Sequence, residues 1–178
     1  MRVLVLGGIR SGKSAWAESA ISHASAQGPV RYLATGGTDT GDADWSARVA
    51  AHRQRRPSHW STVESADVAA QLRDAPATAT LVDDIGGWLV AALDRRDAWS
   101  AGPDAISGDV DDLLDAVEGF AAPLALVSPE VGLTVVPATE SGRLFADALG
   151  SLNQSLAHGC ERVVLVVAGQ PVTVKEPT

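Results

Sequence analysis

Apolar positions in this chain fall into short unbroken runs, and longer stretches between them repeat with a helical period. Val3-Leu4-Val5-Leu6, Ala79–Val82, Leu124–Val127 and Val163–Ala168 are such runs, and Val30–Ala34 (Val-Arg-Tyr-Leu-Ala) is nearly one. Runs of this length bounded by turn residues read as strands covered on both faces, the mark of a parallel sheet. The first strand is expected over Arg2–Leu6. A helix follows from Ser14 to about Gln27, with Trp16, Ala17, Ala20, Ile21 and Ala24 on one face and Gly28-Pro29 as its stop. A second helix is expected from about Asp44 to Arg56, stopped by Pro57, then a short strand at Trp60–Val63 and a helix over Ala66–Arg73. Ile85 to about Asp97 is read as helical despite Gly86-Gly87, because Trp88, Leu89, Ala92 and Leu93 mark one face.

Trp99–Gly108, rich in Gly, Pro, Ser and Asp, is read as a surface loop. Val110–Phe120 is an amphipathic helix with Val110, Leu113, Leu114 and Val117 inward. Ser128–Pro137 is a loop, and Thr139 to about His158 is a long helix with Leu144, Phe145, Ala148, Leu149, Leu152 and Leu156 on its apolar face. The Gly169-Gln170-Pro171 turn is too short for a crossover, so the last strand, Val172–Val174, is expected to be antiparallel. Strands alternating with helices predict an α/β fold with a mostly parallel central sheet and helices on both faces. At 178 residues, with no repeat and no linker, a single domain over 1–178 is expected.

The first strand runs straight into Gly7-Gly8-Ile9-Arg10-Ser11-Gly12-Lys13-Ser14. This is G-x-x-x-x-G-K-S between a strand and a helix, the phosphate-binding loop or P-loop. Its glycines let successive N–H groups turn inward on phosphate oxygens, and the helix adds its positive end. Lys13 can neutralise the β- and γ-phosphates, and Ser14 can ligate Mg²⁺. The chain has two lysines, Lys13 and Lys175, so one of them occupies the position where a compact point charge is wanted.

The net charge of −8 argues against an extended nucleic-acid surface, so a bound triphosphate must be met by a local basic patch. Arg48, His52, Arg55 and Arg56 fall at spacings of three and four on the second helix and would share one face. Cations around His52 disfavour its protonation, and a neutral imidazole beside a phosphate can act as nucleophile or general base. The other reading is a solvated basic face with a bystander histidine. Ligands in an open parallel sheet bind beyond the carboxyl ends of the strands, which brings in Thr35-Gly36-Gly37, Asp83-Asp84 and Ser128–Val131. Asp83 fits a carboxylate for Mg²⁺ opposite Ser14; the alternative is that Asp83 or Asp84 caps the next helix. Glu64 could read a base or ribose or be merely exposed, and Glu130 could touch a second substrate or cap its turn.

His23, His59 and His158 have no partner pattern and are read as surface residues. The single cysteine, Cys160, rules out an internal disulfide, fits a reducing compartment and is read as core. No segment is apolar for long enough to span a bilayer and no secretory pattern is present, so a cytoplasmic protein without membrane insertion is expected.

Taken in order, these segments resemble the bifunctional adenosylcobinamide kinase / adenosylcobinamide-phosphate guanylyltransferase family of cobalamin biosynthesis. The resemblance runs from Arg2 to Lys175. It is carried by Gly7–Ser14, Tyr32-Leu33-Ala34-Thr35, Arg48-Val49-Ala50-Ala51-His52-Arg53 with Arg55-Arg56-Pro57, and Trp60-Ser61-Thr62-Val63-Glu64. Leu81-Val82-Asp83, Ser128-Pro129-Glu130-Val131-Gly132 with Val135-Val136-Pro137, Leu152-Asn153-Gln154 and Val166-Val167-Ala168-Gly169 complete it. The resemblance implies phosphorylation of adenosylcobinamide with ATP or GTP, then transfer of GMP from GTP to adenosylcobinamide phosphate through a GMP–histidine intermediate at His52. It also implies nucleotide contacts at Gly7, Gly8, Ile9, Arg10, Ser11, Gly12, Lys13, Ser14, Thr35, Gly36, Gly37, His52, Arg53, Gln54, Arg55, Glu64 and Asp83. Corrinoid and triphosphate are then the partners, and a homotrimer the assembly. The sequence departs from the family pattern at Asp84-Ile85-Gly86-Gly87, where the family reads Cys-Leu-Thr after the aspartate. It departs again at Pro129, where the family has Asn, and at Gly132–Pro137; all these positions lie on the substrate side. The rival readings are a member that has kept nucleotidyl transfer alone and a non-catalytic nucleotide-binding regulator.

Overall fold

The computed structural model describes residues 1–36 and 56–177. The expected helix over Asp44–Arg56, with Gly37, Arg48, His52, Arg53, Gln54 and Arg55, therefore lies outside the described residues except for Arg56. Strands β1 (Arg2–Gly7), β2 (Arg31–Ala34), β3 (Ser61–Glu64), β4 (Thr80–Asp83), β5 (Leu124–Pro129), β6 (Arg162–Val167) and β7 (Gln170–Lys175) form one sheet in the order β3-β2-β4-β5-β1-β6-β7. Every pairing is parallel except β6 with β7, as expected. The helices are α1 (Lys13–Ala24), α2 (Val68–Asp74), α3 (Ile85–Arg95), α4 (Ser107–Glu118) and α5 (Glu140–Gly159). Among the described residues, no helix is long and apolar enough to cross a membrane.

Alternation along the strands splits the core in two. Val3, Val5, Leu81, Ala125 and Val127 face α1, packing on Ala17 and Ile21. Leu4, Val82, Leu124 and Leu126 face the other way, against α2, α3, α4 and α5 through Leu72, Leu89, Leu113 and Leu152. The stretch 99–108 departs from the expected loop. It holds a short 3-10 helix, Pro103–Ile106, and α4 starts at Ser107 rather than Val110. Ile106 supplies the reason: it is buried among the residues of the larger core, so this stretch is anchored rather than solvated.

Sharp ends are explained by their caps. Asp67, Asp84 and Thr139 each accept a first-turn N–H of α2, α3 and α5. Ala168 and Gly169, both with positive φ, form the two-residue turn between β6 and β7, so β7 begins at Gln170, two residues before the expected start. Pro171 is tolerated because β7 is an edge strand.

α3 and α4 are joined by charge as well as packing. Asp109, its side chain 13% exposed, meets Arg95 Nη2 at 3.0 Å and Arg96 Nε at 2.9 Å. The hydrogen bond from Arg96 foremost, with Arg95 adding to it, holds the Asp109 carboxyl below its ordinary value. Its folded pKa is depressed, so the stability it contributes is present above the unfolded value of 3.8 and is lost as pH falls through the folded one. Asp109→Asn is expected to cost about 1 kcal/mol at neutral pH, and the gap to the parent protein should close on acidification. Urea unfolding at several pH values checks this; a gap that persists in acid would assign the cost to packing.

Candidate functional site

The carboxyl ends of five strands make the site's floor. Register pairs Glu64 with Ala34, Ala34 with Asp83, Asp83 with Val127, and Val127 with Val5. With strands about 4.8 Å apart, this row spans roughly 19 Å from Glu64 to β1. Glu64, expected to follow its strand, is instead the last residue of β3 and is exposed there.

Gly7 ends β1, and Gly8–Gly12 return the chain to the start of α1. A Cβ on Gly7 would meet Ser11 Oγ and lie 2.8 Å from the Val166 carbonyl oxygen, so no side chain fits there. Gly12 has φ +95°, and a Cβ on it would lie 3.1 Å from Gly169 Cα. The β6–β7 turn closes on the loop here, with Gly169 N–H donating to the Ser11 carbonyl at 2.8 Å. On the other flank Glu130 N–H donates to the Gly7 carbonyl at 3.1 Å. The loop is thus clamped from both sides. Unlike α2, α3 and α5, α1 has no side chain at its N-cap, Gly12; of its first-turn N–H groups, that of Lys13 donates to Ser11 Oγ at 3.3 Å. Lys13 Nζ donates to the Gly8 carbonyl at 3.3 Å, which holds the ammonium over the loop. Together these features make an anion cradle.

Ser14, Ala17, Glu18 and Ile21 lie on one stripe of α1, and Ala17 and Ile21 of that stripe are buried against the sheet. This turns Ser14 toward the sheet at the loop end. Asp83 shares a face with Leu81 and its row neighbours Val127 and Val5, which is the α1 face. Ser14 and Asp83 therefore stand on the same side of the sheet at the same edge. One hydroxyl and one carboxylate suit Mg²⁺, which takes few protein ligands and shares the substrate's phosphates. Among the described residues no group of three His, Cys, Asp or Glu side chains could hold a metal without such help.

The two adjacent aspartates have different partners. Asp84 is the helix cap: its Oδ1 accepts the Gly87 N–H at 2.7 Å. Burial pushes its carboxyl above the ordinary value and the charge of Asp83 adds to this, while the Gly87 bond opposes it. Asp83 is instead held by Tyr32, whose hydroxyl donates to Oδ2 at 2.5 Å. Burial, and then the neighbouring Asp83, push the Tyr32 phenol up from its ordinary value.

Thr35 is buried, and its hydroxyl donates to the Asp84 carbonyl at 2.5 Å. It thereby ties the β2 end to the start of α3. Glu130 caps its own turn, with Oε1 accepting from Gly132 N–H at 2.5 Å. Arg56, from the basic cluster, lies 3.3 Å from the Tyr32 ring centroid and donates to Thr62 Oγ1 at 3.0 Å. His23, His59 and His158 are exposed, and Cys160 is buried, its thiol pushed up to about 11 by that burial. This leaves Cys160 a core residue rather than a nucleophile.

Two features escaped the sequence reading. Gly86 and Gly87 sit in α3 because neighbours press on them: a Cβ on Gly86 would lie 2.9 Å from Pro129 Cγ, and one on Gly87 2.9 Å from Thr35 Oγ1. The departures at Gly86 and Pro129 thus meet in space, the proline ring lying over the glycine. The second is a tether from α5. Ser128 Oγ donates to Asn153 Oδ1 at 2.6 Å, and Asn153 Nδ2 donates to the Pro129 carbonyl at 3.0 Å, which fixes the end of β5 beside the loop. An Asn on an otherwise apolar helix face was the available signal. The edge itself is apolar: Ile9, Leu133, Val135 and Val136 are 74–90% exposed.

The family model for cobinamide kinase / cobinamide phosphate guanyltransferase matches residues 3–174. The bifunctional adenosylcobalamin biosynthesis protein CobP of Pseudomonas aeruginosa is 39% identical, with 98% of each chain covered. The bifunctional adenosylcobalamin biosynthesis protein CobU of Escherichia coli is 36% identical over 98% of this chain and 100% of its own. CobU of Salmonella typhimurium is 35% identical over the same shares. Among solved structures, the P4 protein from bacteriophage phi6 in complex with ADP aligns with a TM-score of 0.46 at 12% identity, over 96% of this chain and 52% of its own. A clamped phosphate loop, an aspartate at the neighbouring strand edge and end-to-end likeness at these identities lead to one conclusion: the chain belongs to the cobinamide kinase / cobinamide phosphate guanyltransferase family.

Proposed function

We propose that this protein phosphorylates adenosylcobinamide with ATP or GTP and then transfers GMP from GTP to adenosylcobinamide phosphate, both at the cradle Gly7–Ser14. The observation that carries the reading is the clamped loop with Lys13 held over it, in a chain that matches the family from end to end. In the first reaction the substrate hydroxyl oxygen attacks the γ-phosphorus, the bond to the β-phosphate oxygen breaks, and the hydroxyl proton passes to solvent. In the second, a neutral His52 nitrogen attacks the α-phosphorus of GTP, a P–N bond forms and pyrophosphate leaves. A phosphate oxygen of the corrinoid then attacks the same phosphorus, the P–N bond breaks and the histidine recovers its lone pair. Lys13 and the loop N–H groups neutralise charge on the non-bridging oxygens.

Ser14 and Asp83 would hold Mg²⁺, which when bound supplies charge neutralisation between the phosphates. Thr35, Gly36 and Gly37 would flank the nucleotide, with Arg53, Gln54 and Arg55 beside His52 and Glu64 at the far end of the floor. The exposed apolar edge of Ile9, Leu133, Val135 and Val136 would meet the corrinoid. A single domain over 1–178, assembly as a homotrimer and a cytoplasmic location complete the reading.

Two incubations test it. With adenosylcobinamide and γ-labelled ATP, label is expected in the corrinoid; with the phosphorylated corrinoid and α-labelled GTP, label is expected in the corrinoid together with released pyrophosphate. Label in the second assay alone would establish a guanylyltransferase without the kinase half. Nucleotide binding with neither transfer would establish a regulator.

A further inference from the structure

We propose that Tyr32 is a positioning residue for Asp83 and that Arg56 holds Tyr32 in place; this rests on the reading of Asp83 as the carboxylate that faces Mg²⁺. Tyr32 lies inside β2, 2% exposed, on the α1 face of the sheet. Its register partner on β4 is Leu81, and Asp83 is two residues further along, so Tyr32 and Asp83 are diagonal neighbours on one face. The hydroxyl spans that diagonal to Asp83 Oδ2 at 2.5 Å. A carboxylate at a strand end can rotate about its Cβ–Cγ bond. With Oδ2 engaged that rotation stops, and Oδ1 is the oxygen left for the cation.

Arg56 completes the support. Its guanidinium lies 3.3 Å from the ring centroid and donates to Thr62 Oγ1 at 3.0 Å. Thr62 is the β3 residue in register with Tyr32. The cation therefore bridges two strands across the ring and restrains its tilt. Phenylalanine would pack the same face, so what the hydroxyl adds is its bond to Asp83.

The test measures binding of a fluorescent GTP analogue to the whole protein over a Mg²⁺ titration, with a matched series in chelator. Tyr32→Phe is expected to raise the half-saturating Mg²⁺ concentration about tenfold, the scale of losing a group that orients a metal ligand. Binding in chelator should stay as in the parent protein. Arg56→Lys, which keeps the charge but not the flat stack, should shift the titration the same way by less. Asp83→Asn should shift it furthest. If Asp83→Asn shifts the titration and Tyr32→Phe does not, the role given to Tyr32 is overturned while the reading of Asp83 stands. If neither shifts, the reading of Asp83 falls and the inference with it. Equal loss with and without Mg²⁺ in Tyr32→Phe would make the hydroxyl a general structural group and overturn the inference. Thermal unfolding accompanies each variant; should Tyr32→Phe not fold, an unshifted Arg56→Lys titration overturns the proposal.

Discussion

Lys13→Ala is expected to lower both phosphoryl transfer to adenosylcobinamide and GMP transfer to its phosphate by about a thousandfold, with the fold intact. The magnitude follows from what the ammonium does. Removing one preorganised donor from a developing oxyanion costs about two to three powers of ten, and here a full charge is lost with it. A thousandfold corresponds to ~4 kcal/mol of transition-state stabilisation. The fold should survive because the Nζ contact is a single exposed bond to the Gly8 carbonyl, while the loop is held by backbone bonds to Gly169 and Glu130. Steady-state rates of the two half-reactions, with thermal unfolding as control, check this. Loss confined to one half-reaction would mean that the two reactions do not share a cradle.

His52→Ala should divide the two reactions instead. GMP transfer is expected to fall by at least roughly ten-thousandfold, the scale found when a covalent nucleophile is deleted. Phosphorylation should fall far less, because attack of a substrate hydroxyl on the γ-phosphorus uses no histidine. Added imidazole, which can stand in for the missing ring as a nucleophile, is expected to restore part of the GMP transfer and none of the phosphorylation. Equal loss in both reactions would assign His52 to nucleotide binding rather than to covalent transfer.

Much of the sheet could be read from the chain because its strands are continuous apolar runs, and burial on both faces is what such runs record. Val3–Leu6, Leu81-Val82 and Leu124–Val127 are all fully or nearly buried in the structure apart from Leu6, and the antiparallel β7 followed from turn length alone. What escaped was set by contacts between segments far apart in sequence. Ile106 reads as a stray apolar residue in a Gly/Pro/Ser stretch, yet the core takes it in and turns that stretch into a 3-10 helix. Gly86 and Gly87 look like poor helix formers; their use appears only when Pro129 and Thr35 are seen pressing against them. At the site, the loop was legible because its chemistry is local, residue after residue. The different partners of Asp83 and Asp84 were not, because Tyr32, 51 positions away from Asp83, donates to one of them and not the other. Arg56 was grouped with the arginines around His52 by spacing; its place over the Tyr32 ring could not be read from that spacing.

Covalent transfer through His52 leaves an adduct that one experiment can trap. The protein is incubated with GTP labelled at the α-phosphate, quenched in base, and its peptides are mapped by mass and label. One GMP per chain is expected on the peptide that contains His52, stable in base, lost in mild acid, and discharged by adenosylcobinamide phosphate. GMP transfer proceeding at full rate with no labelled peptide, or with an adduct that survives in His52→Ala, would contradict it.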